Sequence, residues 1–311
     1  MKKIALFLVS LFTATFAFAY DVEIDGIYYN LDSHEYVYYV ANTFKDSVER
    51  TATVTSGYND KYSGDIVIPE KVTYNGAEYN VTSIGWGAFK GSSYLTSVTI
   101  PNSITSIGYE AFQYCHDLTS IVVDENNEIC ASIDGILYDK QKTTLIRCPG
   151  GKTSVEIPNS VTEIGYEAFL GCYWLTSVTI PNSVTSINYG AFNSCESLTS
   201  VSIPESVTYI GNKAFEDCEN LRKIEIGSSI KKIGDYAFSD CNLVCLTIMS
   251  EMPPIVDEDT FEDIPSTLLI VVPYGSSKYY KSAEYWSDFT NYEEMSYLRT
   301  LWEKIKSFFG F

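Results

Sequence analysis

Reactive chemistry in this 311-residue chain would have to come from eight cysteines, two histidines and forty acidic side chains. Cys172, Cys195, Cys218 and Cys241 follow one another at 23-residue steps, and Cys115 precedes them in the same local context. A zinc site needs four convergent ligands, usually including a tight pair, and a 23-residue step supplies no such pair. The expected arrangement is a ladder of buried free thiols, because disulfides need suitable side-chain geometry as well as closeness. Cys130 and Cys148 lie outside the ladder, and whether they pair stays open; Cys245 falls at an outward strand position. His34 and His116 read as surface residues. No phosphate-binding glycine loop, nucleophile elbow or His-Glu-x-x-His is present. Asp124, Glu125 and Glu128, and Asp257 to Asp259, lack the twelve-residue calcium-loop spacing and read as solvated loops. No catalytic residue, metal or cofactor is therefore assigned.

The elements that carry these cysteines are periodic. Pro158, Pro181, Pro204 and Gly227 keep the same 23-residue step, as do Phe169, Phe192, Phe215, Phe238 and Phe261. A period of this length in a Leu-x-x-Leu-x-Leu frame is the signature of a leucine-rich-repeat solenoid. In the unit Pro181 to Ile203 the inward set is Val184, Ile187, Ala191, Phe192, Cys195, Leu198, Val201 and Ile203. Leu198-x-x-Val201-x-Ile203 ends with period 2, which predicts a short strand. Pro204 stops it, having no N–H to donate. Gly85, Gly108, Gly165, Gly211 and Gly234, with Asn188 in the remaining unit, are expected to turn through positive φ. A single helical turn should follow on the outer wall. The expected fold is thus 23-residue coils with a parallel sheet on one face, short helical turns on the other, and a shared core with a phenylalanine spine.

Two stretches break the period. A hairpin on Asn75-Gly76 is expected near 73–80. A longer insert at 124–150 reads as two strands, 133–138 and 144–147, joined through 139–142. Residues 20–65 lack the frame and read as a β-rich N-terminal cap, with a turn cluster at 56–60; the solenoid should then run over 66–290, with Leu268 to Val272 as its last strand. Leu298, Leu301, Trp302, Ile305, Phe308 and Phe309 recur at helical spacing, so 291–311 reads as an amphipathic C-terminal helix. Residues 1–19 have a basic start, an apolar run and a small-x-small end at Ala17-Phe18-Ala19, the pattern of a cleaved signal peptide. No later segment is long and apolar enough to span a membrane.

The units Pro-Asn-Ser-Val-Thr-x-Ile-Gly-x-x-Ala-Phe-x-x-Cys-x-x-Leu-Thr-Ser-Val-x-Ile, at 158–180 and with small changes at 101–123, 181–203 and 204–226, resemble the BspA-like leucine-rich-repeat family. The insert from Ser132 to Gly151 is similar to that family as well, and so is the ending from Val272 through Trp286. The resemblance covers roughly 65–290. It implies an exported or surface protein of the kind common in Gram-negative anaerobes of host-associated communities, some of which bind host extracellular proteins or other bacteria. It carries no catalytic motif and no fixed binding residues.

The net charge of −19 becomes −21 if Lys2 and Lys3 leave with the signal peptide. Such a chain is repelled by nucleic acid and by anionic lipid. The outward strand positions form two columns. One holds Ser97, Ser120, Ser154, Ser177, Ser200, Lys223 and Cys245; the other holds Thr99, Val122, Glu156, Thr179, Ser202, Glu225 and Thr247. Ser97, Thr99, Ser177, Thr179, Ser200, Ser202, Lys223 and Glu225 are the candidate partner-binding residues. Small hydroxyls also simply suit exposed strands. The leading expectation is a secreted or cell-surface interaction and adhesion protein, with the periplasm as the other location, whose partner is an extracellular protein or glycan. Aromatic clustering on one rim would favour a carbohydrate-binding module using Tyr side chains and Trp86. A deep pocket with converging carboxylates would favour an enzyme.

Overall fold

The computed structural model describes residues 20–40, 43–57 and 61–301. The signal peptide expected at 1–19 and all but the start of the C-terminal helix lie outside them; residues 297–301 are helical. The chain is a solenoid of stacked coils. Each regular coil carries a strand of three or four residues on one face, such as Ser200–Ile203. A two-residue strand lies on a second face, such as Ser186–Ile187. Between the two runs an outer wall of i→i+3 turns, as in Ala191 N–H to Asn188 O and Cys195 N–H to Phe192 O.

The second face is a sheet of its own, which the sequence reading did not anticipate. Glu163–Ile164, Ser186–Ile187, Tyr209–Ile210 and Lys232–Ile233 pair in parallel, each in register with the next coil. Two residues are too few for an alternation to show in the sequence.

The core follows the repeat. Phe169, Phe192, Phe215 and Phe238 are fully buried. Their rings stack at 4.6, 5.0 and 5.7 Å between neighbours, and Phe261 continues the spine at 5.7 Å. The five ladder cysteines are buried and free, and four of the thiols have a common use, while Cys172 faces the Cys148 and Pro149 carbonyls. Cys115, Cys195, Cys218 and Cys241 each donate to the phenylalanine carbonyl of the coil before, Phe89, Phe169, Phe192 and Phe215, at 3.0 to 3.3 Å. A thiol is small enough for the core and still satisfies a carbonyl that burial would otherwise strand. Cys130 and Cys148 are also buried free thiols, and Cys245 is half-buried.

The glycines have a different reason from the one expected. Gly85, Gly108, Gly165, Gly211 and Gly234 do not take positive φ. A Cβ on Gly108 would sit 2.4 Å from the Trp86 nitrogen, and one on Gly211 2.6 Å from the Asn188 carbonyl carbon. These positions are glycine because consecutive coils touch backbone to backbone there. The left-handed residues come two positions later, at Glu110, Glu167, Gly190, Lys213 and Tyr236, and again at Tyr114, Gly171, Ser194, Asp217 and Asp240.

The ends and inserts are β-structured. Ile27–Val40 and Thr43–Thr55 form a long antiparallel hairpin, whose second strand joins Ala77–Ile84 in parallel and so starts the stack. Asn75 and Gly76, at φ 51° and 77°, turn the expected hairpin between Lys71–Tyr74 and Ala77–Ile84. The 124–150 insert differs from expectation. Its first predicted strand is a hairpin tip: Cys130–Ile133 and Ile136–Asp139 pair around Asp134-Gly135, with Thr144–Arg147 as third strand. Asp-Gly flanked by Ile on both sides is a two-residue turn signal. At the far end Leu269–Val272 is followed by one more parallel strand, Tyr292–Glu294. Buried Trp286 donates Nε1–H to Pro254 O at 2.9 Å and meets Phe261 edge-on at 5.1 Å, closing the spine.

Candidate functional site

The strand face alternates as period 2 demands. Along Ser200–Ile203 and Lys223–Ile226 the residues are exposed, buried, exposed, buried. Ser200 pairs with Lys223 and Ser202 with Glu225 in parallel register. Ser177 and Thr179 occupy the same outward positions one coil earlier and are exposed. Ser97 and Thr99 are half-buried. Ser97 and Thr96 donate hydroxyl hydrogens to Asp65 Oδ1 at 2.6 and 2.7 Å, which holds the Asp65 carboxyl below its ordinary range.

The face is divided into three sheets. Gly64–Val67, Leu95–Ile100 and Ser120–Val123 form the first; Ser154–Glu156 and Ser177–Thr179 the second. Ser200–Ile203, Lys223–Ile226, Cys245–Ile248, Leu269–Val272 and Tyr292–Glu294 form the third. The first division is made by the insert. Its tip lies on the edge strand: Ile121 N–H donates to Gly135 O at 2.8 Å, and a Cβ on Gly135 would come within 2.8 Å of Ser120 Oγ. Ser97 and Thr99 are thereby separated from the other six candidates.

The second division is an opening. Ser177–Thr179 and Ser200–Ile203 lie side by side without ladder pairing, and a cavity of about 420 Å³ starts at their ends and runs on over the next two coils to Gly227 and Met249. Thr179, Ser202 and Glu225 line it together with Val178, Asn182 and Glu205. Glu205 is fixed by the Ser228 N–H at 2.6 Å and by the Ser228 hydroxyl. Hydroxyls, carboxylates and a stretch of apolar wall thus converge in one place. No sequence signal marked it, since the coils on either side have the same consensus.

The other sequence candidates are scattered. His116 packs between Tyr114 and Tyr173, at ring distances of 6.4 and 4.9 Å. Among the described residues no cluster of three or more His, Cys, Asp or Glu side chains is arranged to hold a metal ion. Trp86, Tyr109, Tyr166 and Tyr189 occupy one repeat position on the outer wall. Tyr109 meets Tyr166 edge-on at 5.6 Å, and Tyr166 stacks on Tyr189 at 4.7 Å. Tyr166 and Tyr189 therefore turn flat faces toward one another, while Trp86, 68% exposed, has no described ring stacked on it.

A family model described as the BspA type leucine rich repeat region matches residues 70–149 and 148–267, in six copies. Among solved structures, a leucine-rich repeat protein from Bacteroides ovatus is 23% identical, with 89% of this chain and 77% of that one covered and a TM-score of 0.48. A leucine-rich repeat protein from Eubacterium ventriosum is 24% identical with a TM-score of 0.48; 64% of this chain is covered, and the match spans only 64% of that protein's length. The pneumococcal vaccine antigen PcpA is 17% identical, with 83% and 94% covered and a TM-score of 0.46. No curated protein matches the chain.

Proposed function

Because this chain belongs to the BspA type leucine rich repeat family, we propose that it is an exported surface protein that binds an extracellular protein partner through its strand face, without turnover. The observation that carries the reading is the opening between Ser177–Thr179 and Ser200–Ile203. The exposed Thr179 and Ser202 hydroxyls and the Glu205 and Glu225 carboxylates line one of the two breaks in the strand face, which gives a repetitive surface a distinctive spot. Export rests on the character of residues 1–19, and among the described residues no helix is long and apolar enough to cross a membrane. A protein partner is favoured over a glycan because the opening on the strand face is lined by hydroxyls, carboxylates and apolar side chains and by no aromatic ring on which a sugar could stack. The face has no large aromatic anchor, so affinity per site should be modest and firm attachment should need multivalent display.

The test is a variant with aspartate at Ser177, Thr179, Ser200 and Ser202. It should lose retention on immobilised matrix proteins and on bacterial surface extracts while its melting curve stays that of the parent. Undiminished retention of the variant would refute the strand-face reading. Conversion of a substrate by the purified protein would refute the non-enzymatic one.

A further inference from the structure

The outer wall carries its own hydrogen-bond ladder between coils. The N–H groups of Gly87, Glu167, Gly190 and Lys213 donate to the carbonyls of Tyr109, Tyr189, Asn212 and Asp235 in the next coil. Two residues on, Phe89, Phe169, Phe192 and Phe215 donate to Ala111, Ala191, Ala214 and Ala237. Glu110 and Phe112 hold these two positions in the coil before the insert. Among the described residues, their N–H groups have no protein acceptor. The insert is the cause. Its third strand, Thr144–Arg147, takes the place of a coil in the second-face sheet. The chain then passes directly to Cys148, which donates to Ala168 O, and omits the Gly-x-x-Ala-Phe turn. One wall segment is missing, and a cavity of about 470 Å³ occupies its place.

Arg147 lines this cavity and is 7% exposed. Its guanidinium bridges the two sides through main-chain carbonyls alone: Nη1 to Glu167 O at 2.8 Å, and Nη2 to Leu170 O at 2.9 Å and Phe112 O at 3.2 Å. Its Nε–H is unpaired, and no described carboxylate forms an ion pair with it. The two carboxylates that also line the cavity are engaged elsewhere. Glu110 pairs with Lys90 at 2.6 Å, and Glu167 accepts from Gln113 Nε2 at 2.5 Å. A buried cation ordinarily has a counter-charge. Around the cavity stand Tyr109, Tyr166, Ile129 and Ile146, all large apolar side chains more than a third exposed.

We infer that this cavity binds a small monocarboxylate carried on an apolar body, an aromatic or branched aliphatic acid, either free or as the C-terminus of a peptide. The carboxylate supplies the counter-charge to Arg147 and the acceptor for the Glu110 and Phe112 N–H groups, and the body packs against Tyr109, Tyr166, Ile129 and Ile146. A dianion such as phosphate is disfavoured by Glu110 and Glu167 in the same wall. A sugar would leave the apolar lining unmatched. The volume is that of a small-molecule site and too small for a folded partner.

Calorimetry on the full chain tests this with 3-phenylpropionate and N-acetyl-leucyl-phenylalanine, each beside its neutral amide. Each acid should bind, and each amide should bind about tenfold or more weakly, as loss of a charge-assisted contact requires. Tighter binding of the dipeptide would identify a peptide end as the source; tighter binding of 3-phenylpropionate would identify a free acid. Equal affinity of acid and amide, or no binding of either acid at millimolar concentration, would overturn the inference. Arg147→Gln should abolish acid binding. Since Arg147 also ties coils together, Ile146→Glu is the deciding variant. It places a carboxylate at the rim from an exposed position, and should weaken acid binding about tenfold at an unchanged melt. Acid binding by Ile146→Glu at the parent affinity would overturn the inference whatever the fate of Arg147→Gln.

Discussion

At the scale of single residues, the repeat is governed by contact between backbones. Gly108 is the clearest case, because its absent Cβ leaves room for the Trp86 nitrogen and the Gly85 carbonyl carbon, 2.4 and 2.5 Å from where that atom would be. Gly76 is glycine for the opposite reason: φ is 77° and nothing lies within 4 Å of a Cβ there. Gly108→Ala should therefore destabilise by about 2–3 kcal/mol, the range of overpacked cores. Gly76→Ala should cost about 1 kcal/mol, the left-handed penalty for a residue with a Cβ. Denaturant melts of the two variants check the order, and equal costs would contradict the close-contact account. Burial pushes the Cys115 and Cys130 thiols up to about 11, so both are protonated and poorly nucleophilic at neutral pH.

At the scale of the element, the coil was legible where its signal repeats. Five phenylalanines and four cysteines at one step were enough to place the core column, and the stacked rings occupy it. Phe192→Ala should thus lose about 3–5 kcal/mol, and Ser200→Ala less than about 0.5 kcal/mol, in the same melts. Features made by a single departure from the repeat were not legible. The second-face strands are too short to alternate. The left-handed positions are filled mostly by Glu, Lys, Tyr, Ser and Asp, with glycine only at Gly171 and Gly190 of those named, so they carry no consistent compositional mark. The Asp134-Gly135 turn was absorbed into a longer apolar run, and with it went the notice that a hairpin tip would divide the strand face. Ser97 and Ser200 look equivalent in sequence; only the pairing of coils shows that one lies beside Asp65 and the other on a strand left unpaired with the coil before it.

At the scale of the whole molecule, the acid excess acts through groups of opposite tendency. Burial and neighbouring carboxylates raise the pKa values of Asp217, Asp235 and Glu262. Hydrogen bonds lower those of Asp65 and Glu294, the latter receiving the Ser277 hydroxyl and the Gly275 N–H. A raised acid binds its proton more tightly in the folded chain. Its contribution is fully present below the unfolded pKa and is lost as pH rises through the folded pKa. A lowered acid contributes above the unfolded pKa and loses that contribution as pH falls through the folded one. The melting temperature should therefore climb as pH drops from neutrality toward the ordinary carboxylate range near about 4, and fall once that range is crossed. Asp217→Asn and Asp235→Asn together should flatten the climb. A midpoint that declines steadily from neutrality would contradict this balance.

The insert has a further effect on the solenoid as a mechanical object. Buried residues fall into two clusters, one from Ile27 to Leu137 and one from Ile136 to Phe289, which adjoin at the insert. The phenylalanine spine breaks between the same two coils: Phe89 stacks on Phe112 at 5.3 Å, and the next stacked pair is Phe169 with Phe192. On the outer wall the junction is held by side chains, chiefly the Arg147 bridge and the Gln113–Glu167 contact. A pull along the stack loads every junction in series, and a junction held on its outer wall by side chains, with both core and spine interrupted, gives way at the lowest force. The rod should yield there first, dividing into two bodies that each keep their own core, so that a pulled molecule lengthens in stages instead of unravelling all at once.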